Sequence, residues 1–135
     1  MRQDVPLIEG DYAEGAYGPT ILLVLLSVDG TKLLRALFDD LARGATGTRV
    51  RLDSYPGVSI GASITELTLC VAGSSQVRHL IRDQRGGFLW SCTNDEWHTA
   101  SLLIEPLLHR PGHQYLTSEA DDDALVEVSY GEGHA

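Results

Sequence analysis

The run ILLVLL, from Ile21 to Leu26, constrains this chain more than any other stretch. It falls far short of the ~20 apolar residues that a membrane-spanning helix requires. It reads instead as the middle of a strand, Thr20 to Val28, buried on both faces. Such a strand needs a layer against each side, and two short helices or a second copy of the chain must supply it. With 135 residues the chain makes about one domain, large enough to bury a core without disulfides or metal.

The layers are legible from periodicity. From Thr31 to Arg43, Leu34, Leu37, Phe38 and Leu41 fall on one helical face, and Gly44 stands where a left-handed C-cap is wanted. A second helix is expected from Thr93, because Thr93-Asn94-Asp95-Glu96 matches the capping box in which Thr and Glu satisfy each other's free backbone donors. Trp97, Ala100, Ile104 and Leu107 form its apolar face, and Pro106 ends or kinks it near Glu105 by removing a hydrogen bond. TRVRLDS and SITELTLCVAG alternate with the period of a strand buried on one face, and SYPGVSIGAS between them reads as a loop. VRHLIRD and FLWSCT flank QRGG, whose glycines suit a tight antiparallel hairpin, and HQYLTS and ALVEVSY pair around EADDD. The expected fold is α+β, a mostly antiparallel sheet of about six to seven strands with two amphipathic helices. Residues 1–17 read as an irregular acidic arm or edge strand, 18–131 as a single domain and 132–135 as a tail.

The net charge of −9 is unevenly placed: −3 in residues 1–19, −6 in residues 118–135 and zero between them. Glu119, Asp121, Asp122, Asp123, Glu127 and Glu132 make up the C-terminal share. Charge gathered at the ends produces a local field that selects cationic partners, and chain ends often lie close enough to pool it. Nucleic acid is disfavoured as a partner, since affinity for phosphate comes from Lys and Arg and this chain has one lysine, Lys32. No apolar leader follows the first residues and there are two cysteines, which points to a reducing, cytoplasmic setting with no membrane attachment.

Other chemistries lack complete motifs. EADDDALVEVSYGE has no glycine at the sixth position of a calcium loop, and the Pro-Gly of HRPGH denies His109 and His113 the helix that their spacing presumes for zinc. His98 could join them only if the fold converged all three; that pocket, with strand carboxylates such as Glu66 and Glu127, is the competing expectation of a small enzyme or metal-using protein. Cys70 and Cys92 lie mid-strand, where a buried hydrophobe is the commoner role. No cofactor motif is present. The acidic turn reads as a steering element for a cationic surface, so neutralising Asp121, Asp122 and Asp123 to Asn is expected to weaken binding and leave stability almost unchanged.

In FLWSCTNDEWHTA, Trp90 and Trp97 bracket a strand-to-helix junction, Trp97 as core and Trp90 as an aromatic anchor of an interface. Over residues 20–131, this junction, the acidity, the mixed sheet and the two helices resemble the small immunity proteins of bacterial polymorphic-toxin systems. The resemblance implies a non-enzymatic protein that binds and blocks a basic toxin domain. The partner-binding residues expected are Glu119, Asp121, Asp122, Asp123, Glu127, Glu132 and Trp90; a homodimeric structural module is a third expectation.

Overall fold

A computed structural model describes residues 5–15, 17–117 and 122–131. The element order is β1 (Ile8–Gly15), β2 (Gly18–Leu25), α1 (Val28–Ala42), β3 (Arg49–Arg51), β4 (Val58–Ile60), β5 (Glu66–Val71), β6 (Leu80–Arg82), β7 (Gly87–Cys92), α2 (Asn94–Ile104), β8 (Gly112–Tyr115) and β9 (Leu125–Tyr130). The class is α+β with two helices, as expected, but the strands form two mixed sheets in place of one. Their orders are β4-β1-β2-β9-β8 and β3-β5-β7-β6. Three pairings are parallel, β1 with β4, β2 with β9 and β5 with β7. Parallel neighbours need long crossovers, which sequence periodicity does not reveal.

The segment expected as an arm is an interior strand. Ile8–Gly15 pairs with β2 along its whole length and with β4 on its other side. Its alternation was present in the sequence: Ile8, Gly10 and Tyr12 turn inward, while Glu9 and Asp11 turn outward. β4 was expected as loop; three residues, VSI, are too few to show a period.

One hydrophobic cluster joins the inner faces of both sheets to α1 and α2. Ile21, Leu23 and Leu25 lie inside it, but Leu22 and Val24 are only half-buried and Leu26 is 44% exposed. The ILLVLL strand is thus buried on one face, contrary to expectation. Burial on both faces is found instead in β5, where Thr68 and Cys70 are covered as well as Leu67, Leu69 and Val71, and in β9, where Leu125 and Ser129 are covered as well as Val126 and Val128. β5 lies between β3 and β7, and its outward residues are small enough to be shielded by their neighbours.

The helix ends follow from side-chain chemistry. Ser27 caps α1 by accepting from the Gly30 N–H, so the Asp29-Gly30 pair starts the helix and does not close a strand. At its other end Gly44 does not take a positive φ. Asn94 Nδ2 donates to the carbonyls of Leu41 and Gly44 at 3.1 and 2.8 Å, so a side chain from the start of α2 satisfies groups that a left-handed glycine would otherwise serve. The Thr93–Glu96 capping box forms as expected, and α2 passes at Glu105 into one 3-10 turn, Glu105–Leu108, holding Pro106. Among the described residues no helix is long and apolar enough to cross a membrane.

Candidate functional site

Residues paired across neighbouring strands share a face, so the register defines what the outer side of the five-stranded sheet presents. One row runs Asp11, Leu22, Glu127, Tyr115 from β1 to β8. The next runs Ser59, Glu9, Val24, Ser129, His113 across all five strands. Acids of the two terminal segments therefore flank one aliphatic strip, because β1 and β9 are the neighbours of β2. None of these five strands carries a lysine or arginine. The arginines on strands, Arg49, Arg51 and Arg82, all belong to the other sheet. The arginine charge of the strands is thus confined to one sheet.

Three shallow hollows mark this outer face. One of about 370 Å³ lies over Glu9, Asp11, Leu22, Val24 and Leu26. Another, about 400 Å³, is lined by Glu14, Tyr17, Thr20, Leu22, Tyr115 and Glu127. A third, about 380 Å³, is bounded by Tyr17, Tyr115, Thr117 and Leu125. Tyr17 and Tyr115 meet edge to face with centroids 6.0 Å apart, and His113 meets Tyr115 in the same way at 5.6 Å. Asp11 accepts from the Ser63 hydroxyl at 2.6 Å and from the Tyr12 N–H at 2.8 Å. The Ser63 bond first, and the Tyr12 bond second, hold its carboxyl below the usual aspartate value, so it stays ionised.

The other expected site residues fall elsewhere. Glu119, Asp121 and Glu132 lie outside the described residues. Trp90, expected as an interface anchor, is 1% exposed and packs against Phe38 and Trp97 at 5.7 and 4.9 Å. Asp122 and Asp123 are engaged with backbone. Asp122 Oδ1 accepts from the His79 and Leu80 N–H groups at 2.5 and 2.9 Å, and Asp123 Oδ2 accepts from the Arg82 N–H at 2.8 Å. These two carboxylates hold the edge of β6, a structural role that the reading of the turn as a steering element did not include. Only Glu127 of the described C-terminal acids stands on the outer face of the sheet.

The histidine pocket expected for an enzyme does not assemble. His98, His109 and His113 are exposed, and among the described residues no three His, Cys, Asp or Glu side chains are placed to hold a metal ion. Glu66 pairs with Arg51 on the four-stranded sheet and cannot face Glu127. A different pocket of about 200 Å³ brings His79, Cys92 and Glu96 together beside Trp90, Leu103 and Leu116. Burial first, and the Glu96 charge second, push the Cys92 thiol up to about 12, so it is protonated and unreactive at neutral pH. The Trp90 Nε1, buried here, has no hydrogen-bond acceptor that meets normal geometry.

Glu96 shows what this pocket does. Its Oε1 accepts from the Thr93 N–H at 2.9 Å, and its Oε2 meets Ser75 Oγ at 2.9 Å and His79 Nε2 at 2.7 Å. Burial raises its pKa, but the bonds from Thr93, His79 and Ser75 outweigh that and leave it lowered. A carboxyl whose native pKa lies below its unfolded one stabilises the fold above the unfolded value, and loses that contribution as pH falls through the native one. Glu96→Gln keeps an oxygen for the Thr93 N–H but removes the charge that strengthens the bonds from Thr93, His79 and Ser75, and is therefore expected to lower stability by about 1 kcal/mol at neutral pH. In urea titrations the gap between variant and wild type should close as pH falls below 4.5, the ordinary glutamate value. A gap that persists at low pH would mean that Glu96 acts by packing.

No protein-family model, no curated protein and no solved structure matches this chain.

Proposed function

We propose that this chain is a non-enzymatic protein-binding module that docks a basic partner on the outer face of its five-stranded sheet, in the manner of an immunity protein that neutralises a toxin domain. The observation that carries the reading is the union of Glu9, Asp11 and Glu127 around Leu22 and Val24, on strands that hold no lysine or arginine. An apolar centre with a charged rim is the anatomy of a protein interface, and its single sign of charge selects a cationic counterpart. A second copy of the chain is a poor occupant, because two such faces repel. An enzyme is less well supported, since the pocket that brings His79 and Cys92 together holds a thiol pushed up to about 12.

The test uses the chain as bait in extracts of its native cell and with the products of adjacent open reading frames. Wild type should retain a protein of high isoelectric point that salt releases. Leu22→Arg sets a cation at the centre of the face without entering the core, and should weaken capture at least about tenfold. Ile81→Glu, on the other sheet, should capture normally. Equal capture by a folded Leu22→Arg variant would overturn the reading.

A further inference from the structure

Of the three hollows on the outer face, only one combines aromatic rings with carboxylates. The hollow over β1 has Glu9 and Asp11 but no ring, and the one beside Leu125 has both tyrosines but no acid. The hollow between them has Tyr17 and Tyr115 together with Glu14 and Glu127, over a floor of Ala13, Thr20 and Leu22. Tyr17 is 64% exposed and Tyr115 38%, so both rings are within reach of a visitor.

We infer that the partner docked on this face contributes an arginine side chain, and that its guanidinium seats between Tyr17, Tyr115 and Glu127. The inference rests on the docking reading above and names the group that the face recognises. A guanidinium is planar and weakly hydrated; it stacks on a tyrosine ring while its fork of N–H groups donates to a carboxylate. An ammonium is a compact, strongly hydrated charge and gains less from a ring. The aliphatic floor at Leu22 and Ala13 suits the methylene stem, which carries its charge to the rim in the way long basic side chains do on apolar surfaces. A neutral isostere such as citrulline keeps N–H donors but loses the positive charge, and with it the ring's attraction for a cation and the charge-assisted strength of the carboxylate bond, so it binds too weakly to register.

The experiment is an amide NMR titration of the whole chain with three capped tripeptides, Gly-Arg-Gly, Gly-Lys-Gly and Gly-citrulline-Gly. The arginine peptide should shift the amides of Tyr17, Thr20, Leu22, Tyr115 and Glu127, and the citrulline peptide should shift none of them. Binding of the lysine peptide should be weaker by about fivefold, the scale of an exposed cation–π contact. Tyr115→Ala and Glu127→Gln should each weaken the arginine peptide by a similar factor; Tyr17→Ala, in the hairpin end, provides the same test should the edge-strand variant misfold. Equal response to arginine and lysine, unchanged by both tyrosine variants, overturns the arginine site. Absence of any shift on this face overturns it too. The docking reading is decided separately by the Leu22→Arg capture, so each can fail alone.

Discussion

Trp97→Ala is expected to destabilise the fold by about 4–5 kcal/mol, the upper range for emptying a large aromatic from a core. Trp97 is fully buried and stacks on Phe38 at 5.5 Å and against Trp90 at 4.9 Å, so it fastens α2 to α1 and to β7 in one contact. Its Nε1 also donates to the Cys70 carbonyl at 3.0 Å, tying the helix to the C-terminal end of β5. Truncation to alanine leaves a void bounded by two rigid rings that cannot close round it, and it removes a buried donor as well. Domains of this size have about 5–15 kcal/mol of stability, so the variant should sit near the edge of folding at 37 °C. Trp97→Phe keeps a stacked ring and loses only the N–H and part of the volume; about 2 kcal/mol is expected. Urea unfolding followed by Trp90 fluorescence measures both. An alanine variant within 1 kcal/mol of wild type would show that the three-ring cluster does not hold the helices to the sheet.

Both helices and most strands were readable because their signals are local. The capping box at Thr93 and the apolar face from Leu34 to Leu41 need only a few consecutive residues, and the structure places both as read. What was illegible was the assignment of strands to sheets. β2 pairs with β9, and the stretch between them holds every other element except β1. A parallel partner so distant leaves no mark in either strand beyond apolarity, so two sheets and one sheet predict the same pattern. The ILLVLL run misled for a related reason: an unbroken apolar run suits a strand with two covered faces, and equally one whose outer face is an exposed apolar strip.

The candidate site was legible in its charge and misplaced in its residues. Excess acid at the two ends of the chain raised the prospect of one pooled patch without naming Glu9 or Asp11 as members; among the described residues these two and Glu127 flank β2 on one face. The densest acidic stretch drew attention away from them. Alternation in IEGDYAE was the signal that would have placed Glu9 and Asp11 on one face of a strand. Tyr17 and Tyr115 had no such signal, because their meeting depends on the order β1-β2-β9-β8.

The opposite outcome is expected for the acids that the fold consumes. β6 is an edge strand, and its outward backbone groups are met by Asp122 and Asp123. The Leu80 N–H donates to Asp122 Oδ1, the Asp123 N–H donates to the Leu80 carbonyl at 3.1 Å, and the Arg82 N–H donates to Asp123 Oδ2. Two residues thus pair an edge as a further strand would, and their charges discourage any other chain from doing so. Asp122→Ala strips the acceptor from both the His79 and the Leu80 N–H groups, of which the second is buried. An orphaned buried donor costs about 1–3 kcal/mol, so the variant should lose about 3 kcal/mol. Asp122→Asn keeps an oxygen in place and loses only the charge, for about 1 kcal/mol. The two variants separate an acceptor from a charge. Hydrogen exchange at the Leu80 and Arg82 amides locates the effect: Leu80 should lose protection in Asp122→Ala, while Arg82, held by Asp123, should lose less. The freed edge should also make the alanine variant aggregate more readily. Unaltered stability with unaltered Leu80 protection would return Asp122 to the surface and restore it as a candidate for the partner.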